Sequence, residues 1–361
     1  MIPMGKPIMG EEEKRAVIEV LESGMLSQGI KVKQFEESFA HFVGTNHAVV
    51  TSSGTTALHA AILAHNIGAG DEVITTPFTF IATANAIRMT GAAPVFVDVD
   101  EKTFNIDPDK IEAAITKNTK AILPVHLFGL SCDMGKITEI ARKHNLLIIE
   151  DACQSHGATW NDKMTGSFGT SCYSFYPTKN MTTGEGGIIT TNSEVIANKL
   201  RKIISHGSEK RYYHGFVGYN YRMSDVAAAI GIEQLKKLPE FNRRRIQNAE
   251  FLNNHLSEIS GIIVPKIDAG HVFHQYTIRV TSSSCVSRDK LAEILLEKGI
   301  ASSVFYPLPV HKQEAYPEYN HLSFPITEKL SKEVLSLPIH PSLIETDLLK
   351  IVSAIKEAII K

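Results

Sequence analysis

E-D-A-C-Q-S-H-G (Glu150–Gly157), followed by S-F-Y-P-T-K-N-M-T-T-G-E-G-G (Ser174–Gly187), gathers an acid, a strand, a lone lysine and a glycine-rich exit in one segment. Asp151 follows the apolar run Leu146, Leu147, Ile148 and Ile149. That places it at the carboxyl end of a buried strand, where open α/β sheets bind their ligands. Ser174 belongs to a second apolar-rich strand, Cys172–Tyr176, which Pro177 stops. Lys179 follows on the same exit loop, and Gly184, Gly186 and Gly187 let the backbone turn and approach a bound group before the next strand, Ile188–Thr191.

A lysine on such a loop is an amine nucleophile that can form a Schiff base with a carbonyl cofactor. Pyridoxal 5′-phosphate acts as an electron sink when its ring nitrogen is protonated, and a semi-buried aspartate favours that charged form. Asp151 ahead of Lys179 fits this division of labour. A phosphate needs its own cradle. Gly54, Thr55 and Thr56 open a helix after the β-rich run His47–Ser52, and a glycine with hydroxyl residues at a helix N-terminus offers free N–H donors and a favourable dipole. The competing role for these residues is an ordinary N-cap. Phe80, after the strand Glu72–Thr75, can stack on a pyridine ring, while Phe78 reads as packing.

These residues lie in motifs that resemble the DegT family of nucleotide-sugar aminotransferases. The motifs run in order along nearly the whole chain: G-M-L-S-Q-G (Gly24–Gly29), S-G-T-T-A-L (Ser53–Leu58), P-F-T-F-I-A-T-A-N (Pro77–Asn85), V-H-L-F-G (Val125–Gly129), the opening segment, Y-N-Y-R-M-S-D (Tyr219–Asp225), Y-P-L-P-V-H (Tyr306–His311) and L-S-L-P (Leu335–Pro338). The resemblance implies an α/β protein of fold type I, with a mostly parallel seven-stranded sheet covered by helices in a large cofactor-binding domain (1–240) and a smaller C-terminal α+β domain (241–361). It implies that Lys179 carries pyridoxal phosphate and that Asp151 meets the ring nitrogen. Gln154 would hold the ring oxygen, His156 would support Asp151, and Ser174 would bind phosphate. Asn220 would reach the phosphate of the other subunit, hence a homodimer with shared active sites. Arg222, Tyr306 and His311 would contact substrate. The implied reaction moves an amino group, from glutamate, to a nucleotide-linked keto sugar. Two rivals are a dehydratase branch that replaces the lysine by histidine, which Lys179 argues against, and a non-catalytic regulator that keeps the fold.

Composition bounds the rest. A chain of 361 residues with 43% hydrophobic content can build a large core, and a net charge of −2 supplies no field for nucleic acid. The first residues hold no apolar signal core, and no run reaches the roughly 20 apolar residues of a membrane span, so a cytoplasmic protein is expected. Cys132, Cys153, Cys172 and Cys285 are scattered and read as reduced and structural, and no metal site is expected. Strands at Ala93–Val99 and Ala121–Val125 alternate with helical stretches, including Pro108–Ile115 and Asp133–His144, as in a parallel sheet. Arg243, Arg244 and Arg245 read as a solvated helix face, and the basic stretch with Lys210, Arg211 and His214 as a solvated loop, which the resemblance would instead place beside the sugar nucleotide to meet its diphosphate. Beyond about residue 240 come a long helix to Leu256, strands near Ile262–Pro265 and Gln275–Val280, a helix at Ser287–Lys298, and a last helix from Thr346 to Ile360.

Overall fold

The computed structural model describes residues 1–359. Seven strands form the main sheet: β1 (His47–Thr51), β2 (Glu72–Thr75), β3 (Ala93–Phe96), β4 (Thr119–Ile122), β5 (Leu147–Asp151), β6 (Thr170–Ser174) and β7 (Gly187–Thr191), in the order β1-β7-β6-β5-β4-β2-β3. From β6 to β3 all neighbours are parallel, while β7 runs antiparallel to both β6 and β1. The run of parallel strands is largely buried on both faces, so β6 is buried at every position although its sequence T-S-C-Y-S is mostly polar. Register decides where the chemistry sits. Asp151 pairs with Cys172, Ser174 with Gly187, and Gly187 with Thr51, so the acid, the serine and the entry to the Gly54 turn share one edge of the sheet.

Helices α2 (Ile30–Val43) and α5 (Met134–His144) pack on one face, while α1 (Glu11–Ser23) lies against the helix that begins at Asp225, and Phe35 and Phe39 interlock with Tyr173 and Phe175 of the β6 segment at ring separations of 5.0 to 5.6 Å. The other face is covered by α3 (Gly54–Ala64), an alanine-rich helix whose small side chains allow close approach to the sheet, together with α4 (Ala82–Met89) and α6 (Glu194–Ile203). The helix expected at Pro108–Ile115 is instead two short 3₁₀ turns, Pro108–Lys110 and Glu112–Ala114. Asp107 caps the first, and too few apolar positions follow to anchor an α-helix.

A carboxylate buried beneath the sheet edge fixes that edge. Glu150 is fully buried, and its two oxygens accept from the N–H groups of Gly166, Phe168 and Gly169, the Ser171 hydroxyl and His126 Nε2. His126 Nδ1 accepts from the Cys132 N–H, so the ring is the neutral tautomer that donates to Glu150. Burial by itself raises the Glu150 carboxyl, but the donors around it outweigh that and hold it below the ordinary range.

The second core is built by α7 (Asp225–Leu256), α8 (Arg288–Glu297), α10 (Glu345–Ile359) and the antiparallel strands β8 (Ile262–Ile263), β9 (Tyr276–Val280) and β10 (Val334–Leu337). Strand β10, formed by the L-S-L-P motif, is absent from the sequence reading, as is α9 (Pro325–Glu333). Ile360, the expected end of the last helix, lies outside the described residues. Helix α7 crosses position 240 without a break and carries Pro239 inside it. Its first half packs with Phe35 and Tyr173, and its second half with β9 and α10. Ile2 joins the second core, bridging Ile300. No described helix is long and apolar enough to cross a membrane.

Replacing Glu150 by Gln should cost about 3 kcal/mol at neutral pH, because several buried donors lose an ionised acceptor. The Glu150 contribution is present above the unfolded carboxyl value of roughly 4.3 and is lost as pH falls through the lower folded value. Denaturant unfolding between pH 3 and 7 checks this: the variant should show a shallower loss on the acid side than the parent.

Candidate active site

At the carboxyl edge of the sheet lies a cavity of about 470 Å³ walled by Ser53, Gly54 and Thr55, by Phe80 and Thr83, by Asp151, Cys153 and Gln154, by Ser174 and Lys179, and by His274, Gln275 and Tyr306. Its size suits a cofactor-sized ligand. Asp151 is almost wholly buried, with Oδ2 accepting from the Thr83 hydroxyl at 2.8 Å and Oδ1 from the Cys153 N–H at 3.2 Å. Those donors fix the orientation of the carboxylate, which can accept an N–H from a ring placed in the cavity.

Lys179 sits on a loop closed by the Phe175 N–H to Gly186 carbonyl bond, and its own N–H bonds the Tyr176 carbonyl. Burial pulls its amine below the ordinary lysine value, against the opposing influence of Cys153 and Asp151. A desolvated amine is neutral at a lower pH and is a better nucleophile. The Cys153 thiol is pushed up by burial and by Asp151, so it faces the cavity neutral.

Opposite Lys179, the α3 N-terminus points into the space. Ser53 is the N-cap, its Oγ accepting from the Thr56 N–H at 3.2 Å, while Thr56 Oγ1 accepts from the Ser53 N–H and donates to the Ser53 carbonyl. The N–H groups of Gly54 and Thr55 fall in the first turn, where a helix has no partners for them. Gly54 is required by space: a Cβ there would lie 2.7 Å from Ser174 Cβ and 3.0 Å from Cys153 Sγ. Phe80 is 58% exposed, a free aromatic face on the wall, whereas Phe78 is fully buried.

The second core closes the far side. Gly129, at a φ of +102°, brings the V-H-L-F-G turn against the backbone of Phe273 and His274, where a Cβ would lie 2.7 Å from the His274 nitrogen. The Gln275 N–H bonds the Phe128 carbonyl. Tyr306 Oη accepts from Gln154 Nε2 at 3.0 Å, and Gln154 Oε1 is buried without a partner. An orphaned amide oxygen, an unpartnered helix end, a buried carboxyl group and a desolvated amine around one cavity fit pyridoxal phosphate.

A model of the DegT/DnrJ/EryC1/StrS aminotransferase family matches residues 7–356. The chain belongs to that family. It is therefore a pyridoxal-phosphate aminotransferase, and its mostly parallel seven-stranded sheet is that of fold type I. A protein named pleiotropic regulatory protein from Geobacillus stearothermophilus is 44% identical over 96% of this chain and 94% of its own length. GDP-perosamine synthase of Caulobacter vibrioides is 39% identical over 99% of this chain and 98% of its own. Among solved structures, S. venezuelae DesV in complex with a ketimine intermediate superposes with a TM-score of 0.93 at 37% identity, covering 96% of this chain and 94% of that one.

Several residues named from sequence stand elsewhere than on the wall of the aminotransferase cavity. Thr56 is turned to its cap. His156 is buried with neither ring nitrogen bonded, and burial pulls it down to about 3, so it is a neutral ring packed on Tyr173 and not a partner of Asp151. His311 is fully buried, bonded to Glu328 at 3.1 Å and edge-on to Phe324, so it does not reach the cavity. Asn220 is exposed and accepts from Arg222 Nε, and neither lines the cavity of its own chain. Lys210, Arg211 and His214 are exposed, with Lys210 stacked on Tyr213. Arg243 and Arg244 pair with Glu240 at the surface, but Arg245 is buried, contrary to the solvated face expected of all three. Sequence reading missed Ser53, Thr83, His274 and Gln275. The first two had a visible signal in the S-G-T-T and P-F-T-F motifs, whereas His274 and Gln275 arrive from a distant segment.

Gly54→Ala should weaken pyridoxal phosphate binding at least ~10-fold, or about 1.4 kcal/mol, with the fold retained. Fluorescence titration alongside circular dichroism tests it, and unchanged affinity would remove Gly54 from the cradle. In cofactor-free protein, the pH midpoint for acylation of Lys179 should lie below the free-lysine value of roughly 10.4, because burial disfavours the ammonium. Peptide mapping across a pH series measures it.

Proposed function

We propose that this aminotransferase moves the amino group of glutamate to the keto carbon of a nucleotide-linked sugar, alternating between the two substrates in one site. The observation that carries the reading is Lys179 Nζ, desolvated and facing the same cavity as the Asp151 carboxylate. Bound pyridoxal phosphate supplies an electron sink and carries the amino group between the half-reactions. Asp151 would accept the ring N–H, and Thr83 and the Cys153 N–H keep its carboxylate aimed. Phe80 would stack on the ring, Gln154 would meet its oxygen, and Gly54, Thr55 and Ser174 would receive the phosphate, with Thr56 locking the cap that holds those N–H groups open. Lys179 Nζ takes the proton from the donor's α-carbon and redelivers it as general base and acid. Tyr306 orients Gln154 and borders the space left for the sugar.

The active chain is a homodimer in which Asn220 and Arg222 act on the partner's site. The exposure of Asn220 and its bond to the half-buried Arg222, away from their own cavity, support this arrangement, as do the exposed apolar side chains Ile18, Leu21, Met25, Leu26 and Ile30. All four cysteines are free thiols, which supports a cytoplasmic location. Residues 1–240 and 241–361 form the two units, joined through α7, with Ile2 reaching over to the second. The name of the 44% identical relative raises a regulatory reading. The complete set of lysine, acid and phosphate cradle favours the enzyme.

Incubation of the purified protein with glutamate should shift its visible spectrum to the amine form of the cofactor and release 2-oxoglutarate. Lys179→Ala should do neither, and a silent parent protein would favour the regulator. A mixture of Lys179→Ala and Asn220→Ala chains, each inactive alone, should regain activity, since one site of each hybrid dimer has both side chains intact. No recovery on mixing would overturn the shared site.

A further inference from the structure

Behind Lys179, on the side away from the main cavity, the structure holds a second and much smaller space. It leaves about 20 Å³ for a water-sized particle, room for a single small species, and is lined by Lys6, Thr178, Lys179, Asn180, Gln234 and Arg245 among others. Three of these side chains are basic and no residue of its lining is acidic.

Arg245 makes this imbalance costly. It is 5% exposed, and its NH1 donates to the Phe273 and His274 carbonyls, but Nε has no partner. Among the described residues, neither Arg245 nor Lys6 makes an ion pair. A guanidinium stays charged at neutral pH, and a buried charge without a counter-ion is strongly unfavourable. The neighbours do not supply one. Burial and the charges of Arg245 and Lys6 hold His340 down to about 4, so it is neutral. The Gln234 amide is spent on the Ile8 carbonyl, Glu13 and the Thr182 N–H. Glu13 itself is taken by Lys237 and the Gly10 N–H, and Asp347 accepts from the Ile344 N–H. Asn180 Oδ1 is unpartnered but carries no formal charge.

We propose that this space is a binding site for a small monovalent anion, a halide such as chloride, held between Arg245, Lys6 and the back of the Lys179 loop. The bound anion supplies the countercharge that the chain lacks and ties the N-terminal segment at Lys6 to the loop that carries the active-site amine. The site stands on charge and space alone and does not depend on which sugar is aminated.

The test uses the purified holoenzyme in chloride, bromide or gluconate at matched ionic strength. A rise in melting temperature that grows with the logarithm of halide concentration is expected, together with an anomalous bromide peak beside Arg245 in soaked crystals. Lys6→Met, which alters only an exposed side chain, should weaken the halide effect several-fold, and Arg245→Met should abolish it if that variant folds. Equal melting temperatures in halide and gluconate, or crystals with no bromide beside Arg245, would overturn the site. So would a Lys6→Met protein whose halide response matches the parent.

Discussion

The Glu150 carboxylate is the constraint on which the site depends. By drawing three backbone N–H groups, a hydroxyl and a neutral imidazole onto one buried acid, it locks the segment before β6 against β5. That fixes the register in which Asp151 faces Cys172 and Ser174 faces Gly187. A slip of one residue would turn both side chains to the opposite face of the sheet. The chemistry-bearing aspartate is thus placed by its silent neighbour, and the two adjacent acids have divided the work: one is consumed internally, the other left open on one side.

Local order along the chain accounts for what the sequence made legible. Asp151, Ser174 and Lys179 belong to contiguous strand–loop units, so apolar runs, a proline and a glycine cluster were enough to set them at one sheet edge. The same holds for Gly54 and Thr55, whose helix start follows directly from β1, and for Phe80 against Phe78, which the structure separates into an exposed and a buried ring. The seven-stranded sheet, with its antiparallel member, is the one that the motif resemblance implied.

What stayed hidden depends on contacts between distant segments. Nothing near His274 and Gln275 marks them as cavity residues; their place is set by Gly129, far earlier in the chain, admitting their backbone at close range. The motif resemblance implied a substrate contact for His311, yet Glu328 and Phe324 draw it into a separate pocket of packing. Three consecutive arginines are indistinguishable in sequence, and only helical geometry shows that two face water while Arg245 turns inward. Periodicity also could not register that the stretch at Pro108–Ile115 lacks the continuous apolar face that would make it an α-helix.

Helix α7 adds a mechanical consequence. Because one unbroken rod is cemented into both cores, the two halves of the molecule are not strung together by a slack tether at that crossing. Any rocking between them must be absorbed by bending the rod, and the weakest rung of its ladder is at Pro239, whose ring nitrogen has no hydrogen to give to the preceding turn. The compliance between the two halves is thereby concentrated at a single imino acid instead of being spread along a loop.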